Sequence, residues 1–120
     1  MKPTILFYAP APTPWGGQLR QLCAIQGFRL RVVETQDLDR TVEVLAQGLQ
    51  TSQPHPAGVP LEEPVLVFCA LSGKQFDRLL PALTRMGARS CLKAVLTAHN
   101  ARWSFRDLYA ELVKERLQLS

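Results

Sequence analysis

A chain of 120 residues is long enough for one compact core and too short for two ordinary domains, so any function has to fit on a single unit. Its 47% hydrophobic and 20% charged residues exclude a disordered tail and a coiled-coil rod. A net charge of +4 spread along the chain permits anionic partners without selecting one.

The chain opens on "TILFYA" (4–9), a nearly continuous apolar run that predicts a strand buried on both faces. This run is too short for a secretory signal core, which needs roughly seven to fifteen apolar residues. "YAPAPTPWGGQLRQL" (8–22) runs from the end of that strand through a proline- and glycine-rich loop into a helix, the place where α/β proteins hold phosphate on free N–H groups. Gly16 and Gly17 are therefore candidate anion-binding residues. The motif itself is missing, since no GxGxxG or GK[ST] is present and Pro10, Pro12 and Pro14 delete N–H groups. Thr13 as cap with Pro14 at the first helical position explains the same residues as a helix start.

"RLRVVETQ" (29–36) is more polar and predicts an outer strand, and Leu38, Val42, Leu45 and Leu49 then repeat at helical spacing. "QTSQPHPAGVPLEEP" (50–64) is aperiodic and rich in proline and glycine, a connecting loop. His55 within it has no second histidine or cysteine at ligand spacing, so no metal is expected. The buried pattern returns in "PVLVFCAL" (64–71), then a third helix, an outer strand in "CLKAVLTA" (91–98), and a last helix with Phe105, Leu108, Tyr109, Leu112 and Val113 on one stripe. No run approaches the roughly 18 apolar residues of a transmembrane helix, so no membrane is expected.

The chain reads as two βαβα halves. At an offset of 61, "ILFYA" (5–9) lies on "LVFCA" (66–70), Trp15 on Phe76, Leu19 on Leu80, Leu22 on Leu83 and Ile25 on Met86. A one-residue gap then places "VVET" (32–35) on "AVLT" (94–97). Any two βαβ units share such a rhythm, and the alternative of a true duplication stands beside it.

The helix starts carry capping signals. Ser72 with Gln75, and Ser104 with Asp107, have the spacing of a capping box, and Leu71 with Phe76, and Trp103 with Leu108, that of a hydrophobic staple. Trp103 thereby acquires a structural role beside that of a stacking platform for a ligand ring. Proline at position 81 should kink the third helix.

"PVLVFCALSGKQFDRLLPAL" and "LKAVLTAHNARWSFRDLYAEL" together resemble the small bacterial family called domain of unknown function three-seven-eight-three, over about residues 64–112. The most telling residues are K-A-V-L-T (93–97), Asn100, Trp103 and the L-Y pair at 108–109. Pro81 departs from the pattern, and the first half matches only in rhythm. The family carries no established activity, so the resemblance implies a fold and no chemistry.

Two constellations bear on chemistry. Cys69 and His99 fall at or just beyond the C-terminal ends of strands expected to be neighbours, where a nucleophile and base can meet, although no family context supports catalysis. Lys74, Arg78 and Arg85 share one helical face, with Arg89, Lys93, Arg102 and Arg106 in the same half, as a phosphate-contacting surface or as a solvated face.

The expected fold is α/β: a single three-layer domain with a four-stranded, largely parallel sheet in order 2-1-3-4, built from two βαβα halves (about 4–49 and 64–117) joined by the loop 50–64. Cys23, Cys69 and Cys91 lack CxxC spacing and read as reduced thiols in a cytoplasmic setting. Without clustered carboxylates, a metal constellation or a phosphate loop, the leading functional expectation is a noncatalytic regulatory or partner-binding module with no cofactor. Its expected partner is a protein, a second copy of this chain included. The alternatives are an anion, nucleotide or nucleic-acid binder using the basic half, and a small Cys/His enzyme.

Overall fold

The computed structural model describes residues 2–48 and 58–119. Residues 49–57, with Leu49, His55 and most of the expected 50–64 loop, lie outside the described residues. The elements are β1 (Thr4–Tyr8), α1 (Gly16–Gln26), β2 (Arg29–Val32), a 3-10 turn (Thr35–Asp37), α2 (Val42–Gln47), β3 (Val65–Cys69), α3 (Gly73–Arg85), β4 (Leu92–Val95) and α4 (Phe105–Leu119). Among the described residues no helix is long and apolar enough to cross a membrane.

The sheet runs β2-β1-β3-β4. The expected order holds, and its physical reason is visible in β3, where every residue is buried, while β2 and β4 form half-exposed edges. β2 pairs parallel to β1 and β4 parallel to β3, but the central pair is antiparallel, Thr4 facing Cys69 and Tyr8 facing Val65. The sheet is therefore mixed.

Reversing the second half changes where the helices go. A right-handed crossover from β1 to β2 and another from β3 to β4 proceed outward in opposite directions along strands of opposite sense, which sends both helices to the same face. Accordingly Leu19 and Cys23 of α1 and Leu79 and Leu83 of α3 share one cluster with Ile5, Leu66 and Phe68. Val42 of α2 and Phe105 and Leu108 of α4 share the other with Leu6, Tyr8, Val65 and Val67. Tyr8 also anchors the chain ahead of β3: its buried hydroxyl donates to Leu61 C=O at 3.3 Å and accepts from Leu61 N–H at 3.0 Å.

Matched hydrogen bonds relate the two halves. Arg29 N–H donates to Pro3 C=O at 2.8 Å, and Leu92 N–H to Pro64 C=O at 3.2 Å; Val33 donates to Phe7 at 2.8 Å, and Leu96 to Phe68 at 2.9 Å. Phe7 packs against Trp15 with ring centroids 5.3 Å apart, and Phe68 against Phe76 at 5.6 Å. On the α2/α4 side the halves meet through an antiparallel bridge between Thr41 and Ser104. There Val42 N–H donates to Trp103 C=O at 2.9 Å and Phe105 N–H to Arg40 C=O at 3.0 Å, and Glu43 donates to Ala101 at 3.0 Å where Arg106 donates to Leu38 at 2.9 Å. Each bond has its counterpart under exchange of the halves, and Leu6 facing Val67 marks the centre of that exchange in the sheet.

The structure corrects several details of the expected correspondence. Leu19 matches buried Leu79 rather than Leu80, which is 44% exposed, and Cys23 rather than Leu22 matches Leu83; Ile25 is 73% exposed. The helices therefore align one residue away from the strands. The outer strands need two residues of gap instead of one: Val32 opposes Phe7 as Val95 opposes Phe68, and both valines are 47% exposed. All four strands are shorter than the apolar runs, because the sheet ladder ends where the chain turns into loops. Leu38 is buried ahead of α2 rather than within it.

The helix starts are also refined. Trp15, not Thr13, occupies the cap position of α1 and makes no side-chain cap bond. Thr13 instead offers its C=O to Gly16 N–H at 3.3 Å. At α3 the capping box is complete, with Gln75 N–H donating to Ser72 Oγ at 3.2 Å and Ser72 N–H to Gln75 Oε1 at 2.7 Å. At α4 only half is made: Asp107 N–H donates to Ser104 Oγ at 3.0 Å, and among the described residues Ser104 N–H makes no return bond to the Asp107 carboxylate. Pro81 sits inside an unbroken α3 on its exposed side.

Candidate functional site

The turn after β4 is organised by Asn100, one of the few buried polar residues. Its side-chain oxygen accepts Thr97 N–H at 2.9 Å, its own N–H donates to Thr97 Oγ1 at 3.2 Å, and its side-chain amide donates to Val95 C=O at 3.0 Å. These bonds end the strand and begin the turn, which is why an Asx side chain is needed at this spacing. Trp103 follows within the same turn, its N–H donating to Asn100 C=O at 3.1 Å. Its ring packs against the cluster that contains Leu108, as a staple requires, while His99 meets it edge-on with ring centroids 5.0 Å apart.

β4 has an open hollow on each of its faces. On the α4 side, a hollow of about 340 Å³ is lined by Ala94, His99, Trp103, Glu111 and Glu115. An adjoining one, bounded by Trp103, Asp107, Glu111 and Lys114, continues along α4. Among the described residues no ion pair or hydrogen bond engages the carboxylates of Asp107, Glu111 or Glu115. On the α3 side, about 430 Å³ is lined by Phe68, Phe76, Leu80 and Val95, a predominantly apolar wall with Lys93 at its rim. Lys93 turns its ammonium to Arg89 C=O at 2.9 Å and Cys91 C=O at 3.1 Å.

The edge between these hollows is only partly closed. Leu92 and Leu96 direct their N–H groups to β3, so alternation turns the backbone groups of Lys93 and Val95 outward. Asn100 occupies the Val95 carbonyl. Lys93 N–H, Lys93 C=O and Val95 N–H have no partner among the described residues.

The remaining expected site residues are dispersed. Cys69 is fully buried in the α2/α4 cluster, its thiol pointing back to Val67 C=O at 3.8 Å, and burial pushes its pKa up to about 12. Burial raises Cys23 to about 11 and also raises Cys91. His99 lies exposed in the turn with its ring on Trp103, and no hydrogen bond joins it to Cys69 among the described residues. Because β1 and β3 are antiparallel, the C-terminal ends of β1 and β2 and those of β3 and β4 lie at opposite ends of the strands, so the ligand crevice of an all-parallel sheet is absent.

Gly16 and Gly17 are the first two residues of α1. A side chain at Gly16 would press on Thr13 Oγ1 at 3.0 Å, whereas at Gly17 it would meet open space. Lys74 and Arg78 are exposed on α3, while Arg102 is exposed in the turn before α4 and Arg106 lies in its first turn, and α3 and α4 cover opposite faces of the sheet. Arg106 is engaged: its Nε donates to Asp39 Oδ1 at 3.0 Å and its Nη1 to Val59 C=O at 2.7 Å. Among the described residues no group of three or more His, Cys, Asp or Glu is placed to hold a metal ion.

The hollows themselves escape sequence reading, because Glu111 and Glu115 look like ordinary solvated helix residues and Phe76 like ordinary core. The one available signal was Leu80, an apolar residue on the flank of α3 away from the buried stripe.

Residues 64–119 match the family model described as Domain of unknown function (DUF3783), which starts at the residue before β3 and runs to the end of α4. The second half thus resembles that family over its whole length. No curated protein and no solved structure matches the chain.

Proposed function

We propose that the protein is a noncatalytic partner-binding module that engages another protein along the β4–α4 side of the fold. The observation that carries this reading is the half-open edge of β4 with a hollow on each face, one apolar and one combining Trp103 with carboxylates that have no partner in the described fold. Aromatic anchors beside unpaired polar groups are the usual furniture of protein interfaces. A cytoplasmic, reducing location fits the three free thiols. The matched hydrogen bonds of the halves support an internal duplication, in which the second copy acquired the hollows and the first serves as its scaffold.

The enzyme alternative draws no support from Cys69, whose raised pKa leaves almost no thiolate near neutral pH. Thiol labelling of the folded protein should modify half-buried Cys91 before Cys69. For the binding reading, hydrogen exchange measured on the protein with and without its co-purified cellular partner should show new protection at Lys93 to Val95 and around Trp103. Protection confined to α1 or the β2 edge would refute it.

A further inference from the structure

We infer that the occupant of the β4 edge is an extended segment of a partner protein in which apolar and basic residues alternate. The inference rests on the partner-binding reading above and adds the chemistry of the partner. A strand laid along β4 would take up the three outward backbone groups of Lys93 and Val95, and its successive side chains would fall on opposite faces of the sheet. Side chains on the α3 side meet Phe68, Phe76, Leu80 and the half-exposed Val95, a predominantly apolar surface that favours apolar groups, while Lys93 beside it turns its ammonium to backbone carbonyls. Those on the α4 side meet Glu111 and Glu115 beside Trp103, on whose ring His99 is seated. Two carboxylates without a partner among the described residues attract a lysine or arginine, whose aliphatic stem can lie along the Trp103 ring, and repel an acidic residue.

The requirement for alternation comes from the two faces being different, which the first half does not reproduce. There α2 spans only Val42–Gln47, and Gly48 stands where α4 has Glu111. The guanidinium of Arg31 lies against that Gly48, so the corresponding ground beside β2 is already occupied by a cation of the chain itself.

The test uses the full chain and two capped synthetic hexapeptides, one alternating lysine and valine and one alternating glutamate and valine. Titration calorimetry should give a dissociation constant at least tenfold lower for the lysine peptide, and amide shifts should change at Lys93, Val95 and Trp103. Glu111→Lys combined with Glu115→Lys should reverse the preference while leaving the melting temperature near that of the unaltered chain, which verifies folding. A lysine peptide carrying N-methyl groups on the pairing edge should lose binding. Equal affinity for the two peptides, or binding of neither at millimolar concentration, overturns the inference. So does concentration-dependent self-association that protects β4 and excludes the peptide, since the occupant is then a second copy. In any of these cases the partner-binding reading is judged separately by the exchange experiment, so the two failures are distinguishable.

Discussion

After β2, the Asp37 carboxylate accepts Glu34 N–H at 3.1 Å; after β4, the Asn100 side chain accepts Thr97 N–H at 2.9 Å and also donates to Val95 C=O at 3.0 Å. The frame is shared, down to Arg40 N–H donating to Asp37 C=O at 3.0 Å and Trp103 N–H to Asn100 C=O at 3.1 Å. A carboxylate has no proton to give, so Asp37 cannot close the edge of β2 as Asn100 closes part of the edge of β4. It takes an ion pair instead, with Arg40 Nε at 3.4 Å. Two halves on one backbone plan therefore end in different surfaces: short α2 and arginines on one side, long α4 with Trp103 and the carboxylates of Glu111 and Glu115 on the other. The frame is held by backbone bonds and the surface chemistry by single side chains, which is why the latter can diverge without disturbing the former.

The largest test of this comparison is at the shared centre. Leu6 is fully buried opposite Val67, so Leu6→Ala should cost about 3–4 kcal/mol in chemical denaturation, with one cooperative transition. Two separate transitions would show that the halves are independent units. Exchanging the turn residues is the next in size. Asn100→Asp keeps the acceptor for Thr97 N–H but removes the donor to Val95, and should cost about 1–2 kcal/mol at neutral pH, whereas Asp37→Asn, which keeps the acceptor for Glu34 N–H and gives up a long, partly buried ion pair, should cost less than about 1 kcal/mol. Equal costs would mean that the Val95 bond contributes nothing.

A third comparison concerns the residue that leaves each central strand. Ala70 has φ 63°, in the left-handed region, and among the described non-glycine residues it is alone in that; Ala9 occupies the matching place in the first half. Ala70→Gly should therefore gain about 0.5–1 kcal/mol while Ala9→Gly loses about as much, and thermal midpoints moving in the same direction would contradict the assigned backbone. The smallest effect belongs to the ion pair of Glu63 with Arg116, which ties α4 to the segment before β3. The hydrogen bond from Arg116 holds the Glu63 pKa below its ordinary 4.5. Its contribution is present above pH 4.5 and lost as pH falls through the folded value. A stability-against-pH profile should thus be slightly flatter below that point for Glu63→Gln, and identical profiles would leave the pair without energetic weight.

Much of this was readable from residues alone. The continuous apolar runs around Ile5 and Val67 placed the central strands, because only a strand buried on both faces has no polar alternation to show. Helical spacing at Phe105, Leu108, Leu112 marked α4, and Ser72 with Gln75 marked the start of α3, because capping is a contact between residues three apart. The offset of 61 also emerged from the sequence, and it coincides with the Leu6–Val67 pairing. Strand direction did not. A long connection ahead of β3 allows either sense, and an apolar run looks the same from both ends, so only the pairing of Thr4 with Cys69 decided that the sheet is mixed and that α1 and α3 share a face. The same holds for the candidate site. Phe76 and Val95, or Trp103 and Glu115, become neighbours only once α3 and α4 are packed on opposite sides of β4, and the sequence by itself carries no term for which half-exposed side chains a folded edge leaves facing each other.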